Sequence, residues 1–344
     1  MKSIRDVIRG LNVVAAVVLS ILAAALFFVV GWVLRGRWEE AREVSEKTVQ
    51  VRSGGDSLIN PLLDCELAKD TIGDVGIIPF RGKVLGLIED KSKQYKLTYV
   101  SVYFRELNDG TWFGINEQEH FAPASLLKVP LMIAWLKQAE STPGLLSKKI
   151  RYRPADGDYN DMLTIKPSKS IAVNRDYSAE DLIRMMIIYS DNNANTLLFK
   201  NIDGQILLRT YRDLGVEPPL NGKDADFMTV KEYASVFKIL FNTSYLNRDM
   251  SAKALQYLSE AEFKAGLVSG VPHDIRVAHK FGERVLGERD EIKELHDCGI
   301  VYYPKNPYLL CVMTRGTDFS TLDDIIADVS RTVYGEVDTQ HKEH

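Results

Sequence analysis

The chain has 344 residues, 45% of them hydrophobic, with a formal net charge of -4. That is enough apolar material for one large domain or two small ones. The basic residues are dispersed, which excludes a nucleic-acid footprint. Three cysteines, Cys65, Cys298 and Cys311, are too few for a disulfide framework, and no Cys/His spacing suits a metal.

In chain order, residues 1–9 are a short basic segment, and residues 10–34 form an almost unbroken apolar run. At about 1.5 Å per residue the run can cross a bilayer. Phe27, Phe28 and Trp32 fall where an interfacial aromatic belt would sit. A cleaved signal peptide is the rival reading. Arg35, Gly36, Arg37 and Trp38 follow, without a small-residue cleavage site, and favour a retained transmembrane anchor. Lys2, Arg5 and Arg9 on one side and Arg35, Arg37 and Arg42 on the other leave its orientation undecided. Residues 35–57 read as a charged stalk ending in the flexible Ser53-Gly54-Gly55.

A globular domain is expected over 58–336, with 337–344 as a polar tail. Phe80 to Ser92 has the spacing of an amphipathic helix. Lys96 to Leu107 alternates as a strand. Asn108-Asp109-Gly110 then turns the chain into a second strand over Thr111 to Ile115.

Phe121 to Glu140 follows, a loop and then a helix that is apolar almost all the way round, as a buried helix must be. Its first turn nevertheless carries Ser125 and Lys128, three apart and so on one face. Burial lowers the pKa of a lysine and turns it into a base for a nearby hydroxyl. Residues 141–177 are rich in turn formers. A helix then starts at Ser178 in capping-box style and runs into Ser190-Asp191-Asn192-Asn193-Ala194-Asn195.

Thr229 to Phe241 and Ser251 to Leu258 read as further helices. Val277 to Gly282, Cys298 to Tyr303 and Tyr308 to Thr314 read as strands, and Leu322 to Tyr334 as a closing helix. Cys298 and Cys311 fall on two of those strands, joined by a short turn that could bring them near each other; packing as two buried thiols is the preferred reading. His120, His273, His279 and His296 are isolated and read as structural or exposed. The order implies an α/β (α+β) fold: an antiparallel sheet built from both ends of the domain and flanked by helices, with an all-helical subdomain inserted.

Ser-x-x-Lys alone is weak; Ser235 and Lys238 repeat the spacing on an ordinary helix. Ser125 as a simple helix cap, with Lys128 reaching for water, is the competing account. Three signals in order outweigh it. Ser125-x-x-Lys128 opens a buried helix, Ser190-Asp191-Asn192 lies in the helical block, and Lys280-Phe281-Gly282 lies on a strand.

With these motifs the chain resembles the class A β-lactamase-like serine hydrolases, a superfamily shared with penicillin-binding proteins, over roughly Asn60 to Tyr334. The resemblance implies Ser125 as the acylated nucleophile, Lys128 as proton acceptor and Ser190 as the relay to the leaving nitrogen. It implies Asn192 and Lys280 as substrate-binding groups, Asp191 as a structural brace, and the backbone N–H groups of Ser125 and of Glu283, next to Gly282, as the oxyanion hole. Glu217, in Glu217-Pro218-Pro219-Leu220-Asn221, matches the family's deacylating base. Phe281 stands where the family carries Thr or Ser, and so supplies no hydroxyl for a substrate carboxylate. The implied activity is β-lactam hydrolysis. The alternatives are a D-alanyl-D-alanine carboxypeptidase acting on peptidoglycan peptides, or a non-catalytic sensor of either ligand. No cofactor or metal is implied, and the domain is expected outside the cytoplasm on its membrane anchor.

Overall fold

The computed structural model describes residues 48–52, 58–67, 78, 80–95, 99–216, 218, 225–287 and 291–342. The expected anchor at 10–34, most of the stalk and Glu217 lie outside them. No helix of the described residues is long and apolar enough to cross a membrane.

Five strands form the central antiparallel sheet: β3 (Tyr99–Glu106), β4 (Trp112–Ile115), β9 (Val277–Leu286), β10 (Ile292–Val301) and β11 (Tyr308–Gly316). Their order is β4-β3-β11-β10-β9, so the two N-terminal strands join the three C-terminal ones at the β3–β11 pair, and the sheet is built from both ends of the domain as the sequence pattern implies. Helix α1 (Arg81–Gln94) precedes β3. Between β4 and β9 lie α2 (Lys128–Ser141), α3 (Ala179–Ile188), α4 (Asn192–Asn201), α5 (Gly204–Asp213), α6 (Val230–Phe241) and α7 (Arg248–Ser259). Helix α8 (Phe319–Lys342) closes the chain. Short ladders join β5 (His120–Phe121) to β8 (Met228–Thr229), and β6 (Lys149–Arg151) to β7 (Asp176–Ser178).

The two faces of the sheet belong to two cores, as the period-2 alternation of its strands requires. On β11, Tyr308, Leu310 and Val312 pack with Phe80, Val84 and Ile88 of the α1 region and with Leu322, Ile326 and Val329 of α8. Leu309, Cys311 and Met313 face the helical block, whose centre is Met132, Trp135 and Leu136 of α2. In both cores the buried aromatics and leucines each contribute on the order of 2 kcal/mol.

Three expectations are corrected. Thr48–Arg52, placed in the linker, is strand β1, paired antiparallel with β2 (Leu62–Leu67). The polar tail is helical as far as Lys342, because Val333 and Val337 continue the apolar stripe of α8 into the core. Cys298 and Cys311 are not separate thiols but a disulfide. The β10–β11 register sets them directly opposite, with Cα atoms 4.0 Å apart. Helix α5, which the sequence reading passes over, is capped by Asp203 and buries Leu207 and Thr210.

A charged cluster ties β10 and β11 to the loop before β8. Arg315 Nε donates to Glu294 Oε1 at 2.7 Å, and its other nitrogens reach Asp226 Oδ2 (2.7 Å), Glu119 Oε1 (3.3 Å) and the His120 carbonyl (3.0 Å). Burial pushes the Glu294 carboxyl above the usual range, and Arg315 pulls it back.

Candidate active site

Ser125 sits on a 3-10 turn, Ala124–Leu127, that runs directly into α2 at Lys128. The residue before it, Ala124, has φ 48°, in the left-handed region that a side chain disfavours. The turn is held from three sides. Buried Tyr233 of α6 donates to the Leu126 carbonyl at 2.9 Å. His296 of β10 donates from Nε2 to the Ala122 carbonyl at 3.0 Å and accepts from Thr314 N at Nδ1. That ring is neutral, its pKa pushed down to about 4 by burial. Gly282 of β9 completes the clamp, because a Cβ there would lie 3.0 Å from the Pro123 carbonyl and 3.2 Å from Leu126 Cγ. The glycine of the Lys-Phe-Gly triplet is thus needed for close approach of the sheet edge to the nucleophile turn.

Ser190 is the single residue between Tyr189, the cap of α3, and Asp191, the N-cap of α4. Its φ of 58° makes the corner between the helices. Asp191 is fully buried and accepts from Ile171 N (2.9 Å), Asn193 N (2.9 Å), Asn160 Nδ2 (2.9 Å) and Ser170 Oγ (3.2 Å). This is the brace the motif implied, and it binds the 158–171 loop to the corner. Asn192 accepts no structural load from the core; its side chain donates to the Tyr159 carbonyl at 3.2 Å.

Lys128 is 3% exposed and Lys280 is 1% exposed. Both amines converge on one hydroxyl: Lys128 Nζ and Lys280 Nζ each lie 3.0 Å from Ser190 Oγ. Lys128 also donates to the Ser190 carbonyl at 2.6 Å, and Lys280 to the Phe281 carbonyl at 2.9 Å. Burial lowers the Lys128 pKa to about 7, against the pull of Asp191 and Glu283. Lys280 is driven well below the ordinary lysine value, first by burial and then by the Lys128 charge. Both shifts disfavour two protonated amines on one hydroxyl. Among the described residues no hydrogen bond falls on Ser125 Oγ; the lysine reaches Ser190 instead.

A cavity of about 380 Å³ opens at this point. It is lined by Ser125, Lys128, Asn192 and Glu283, so four of the expected site residues come together on one space. Ser190, Lys280 and Gly282 stand behind it through the contacts given above. Leu163, Asn195, Phe199 and Tyr211 also line it and were not singled out from the sequence. Phe281 is turned away: its ring stacks on Phe263 at 4.1 Å in the core under α8.

A profile described as the beta-lactamase enzyme family, Beta-lactamase2, matches residues 84–337. The chain belongs to that family. Among curated relatives it is similar to beta-lactamase CTX-M-25 of Escherichia coli, 26% identical over 198 residues, and to beta-lactamase L2 of Stenotrophomonas maltophilia, 32% identical over 121 residues. These matches cover 54% and 33% of this chain, and 66% and 38% of the relatives, under two thirds of either relative's length. Among solved structures the fold is similar to PBP-A, with TM-score 0.62 and 21% identity over 75% of this chain and 97% of that one. It is also similar to the extended-spectrum beta-lactamase TLA-3, with TM-score 0.64 and 20% identity over 74% of this chain and 98% of that one.

Proposed function

We propose that the protein is a serine hydrolase that opens β-lactam rings through an acyl-enzyme on Ser125. The observation that carries this is the Lys128 amine: buried, with a pKa near 7, one turn from Ser125 and hydrogen-bonded to Ser190. In the proposed step neutral Lys128 takes the Ser125 proton while Oγ bonds to the lactam carbonyl carbon. The oxyanion is held by the backbone N–H groups of Ser125 and Glu283, an arrangement worth on the order of 3 kcal/mol per donor. The C–N bond then breaks. Ser190 passes its hydroxyl proton to the leaving nitrogen and is reprotonated by Lys128. Asn192, on the cavity wall, bonds the substrate's acyl amide. Glu217 is proposed to activate the water that cleaves the ester.

The proposal places the domain outside the cytoplasm, tethered by residues 10–34. The Cys298–Cys311 disulfide supports that placement, since such bonds persist in oxidising compartments. Intact mass of the full-length protein after penicillin treatment tests the chemistry. A covalent adduct is expected in the wild type and none in Ser125→Ala; an adduct retained by Ser125→Ala would end the proposal. Glu217→Gln should trap the adduct. If the wild type already accumulates it, the slow-turnover peptidase alternative is the better account.

A further inference from the structure

Glu283 lines the same cavity as Ser125, and neither the family motifs nor the proposed acylation step uses its carboxylate. Oε1 accepts from Ile165 N at 2.8 Å. Oε2 is buried with no hydrogen-bond partner, an expensive arrangement for a charged oxygen unless a ligand completes it. Among the described lining residues the only other charged group is Lys128. Its amine is committed to Ser190 at two points.

The groups that would receive a substrate carboxylate are all directed elsewhere. Lys280 is fully buried, donates to Ser190 and to the Phe281 carbonyl, and lies 4.2 Å from the centre of the Phe281 ring. Phe281 has no hydroxyl and is stacked on Phe263. The cavity therefore offers the Glu283 carboxyl, which burial raises above the usual range and the Ile165 and Thr164 N–H groups and Lys128 pull back, where an anion receptor is expected. Beside the amides of Asn192 and Asn195, its wall is built from Leu127 of the nucleophile turn, Leu131 of α2, Phe199 of α4 and Tyr211 of α5.

From this we propose that Glu283 sets the substrate class: acyl donors with an apolar acyl group, whose leaving-group side carries a neutral N–H donor or a cationic amine and no carboxylate. The proposal deepens the acyl-enzyme reading and rests on it. An incoming carboxylate would meet the Glu283 charge inside a partly desolvated cavity, where like charges several ångströms apart lower a rate by roughly tenfold or more. An N–H or ammonium group would instead complete Oε2 with a charge-assisted hydrogen bond.

The test compares a chromogenic cephalosporin with its methyl ester, two compounds that differ at the carboxylate. Acylation of Ser125 is followed by intact mass and stopped-flow absorbance on the full-length protein. In the wild type the ester should acylate roughly tenfold faster than the free acid. Glu283→Gln keeps a carbonyl oxygen for Ile165 N but removes the charge; it should bring the two rates within about twofold, mainly by accelerating the acid. Glu283→Ser gives the same comparison without the long side chain. A wild type that prefers the acid, or a ratio unchanged in both variants, overturns the proposal. The wild-type ratio decides the sign even if a variant does not fold. If neither compound modifies Ser125 at all, the acyl-enzyme reading fails and takes this one with it, a result distinct from a reversed preference.

Discussion

At Ser190 two amines converge on one hydroxyl, whereas at Arg315, on the same sheet, one guanidinium is met by three carboxylates and a carbonyl. Both clusters are polar, but the lysine pair is buried while Asp226 and Glu119 of the Arg315 cluster stay partly exposed. The Arg315 cluster satisfies its donors with opposite charges, which is how a fold pins strands together. The lysine cluster places like charges side by side, and burial and repulsion both push the amines toward the neutral form. A buried group whose ionic form is opposed by its surroundings is poised for proton transfer, and one whose ionic form is compensated is poised for stability.

The sharpest way to break this contrast is Lys128→Met. Acylation by penicillin should fall by at least about a thousandfold, because the nucleophile loses its base. Stability should move the other way. Lys128 titrates near 7 folded and near 10.5 unfolded, so the unfolded chain binds more protons between those values. The wild type is therefore penalised most at and below pH 7 and is relieved as pH rises toward 10.5. The melting-temperature gain of Lys128→Met should be larger at pH 6 than at pH 9.5. An equal gain at both would mean the lysine is not held neutral.

Arg315→Met is the counterpart. Removing it leaves Glu294 buried beside an unmet charge and should cost about 3 kcal/mol by urea denaturation. The folded fraction should still be acylated at close to the wild-type rate. If acylation collapses while stability holds, the two clusters are not separable in the way described.

A smaller effect is the pH profile of wild-type acylation. As pH drops below about 7 Lys128 takes up a proton, and the rate should fall about tenfold per unit, or roughly 1.4 kcal/mol. A flat profile from pH 5 to 8 would remove Lys128 from the role of base. Smallest is Gly282→Ala. Its methyl group would press on Pro123 and Leu126, shift the nucleophile turn by tenths of an ångström and slow acylation about fivefold, with a stability loss of about 1 kcal/mol.

The parts of this arrangement legible in the sequence are those set by local pattern. The alternation on β3, the all-apolar α2 and the Ser178 capping box each follow from spacing and side-chain chemistry. The ordered motifs located Ser125, Lys128, Ser190 and Lys280, but their common point of contact depends on how β9 is laid against the turn at Ser125. What stayed hidden depends on long-range register. Cys298 meets Cys311 because of a hairpin offset that composition does not encode. Asn160 and Ser170 matter because a turn-rich loop folds back onto Asp191. Glu283 was expected to act through its backbone alone, and only the cavity reveals where its carboxylate lies. The continuation of α8 past Val333 was, by contrast, readable from Val337.

Ala124 carries one further implication. A methyl-bearing residue at φ 48° costs on the order of 1 kcal/mol relative to glycine, immediately before the residue that would attack the substrate. Laboratory selection for heat tolerance alone would therefore tend to fix glycine at this position. The hardier descendants would have a backbone freer to drift at the one place where aim matters, trading speed for endurance through a residue on the cavity wall.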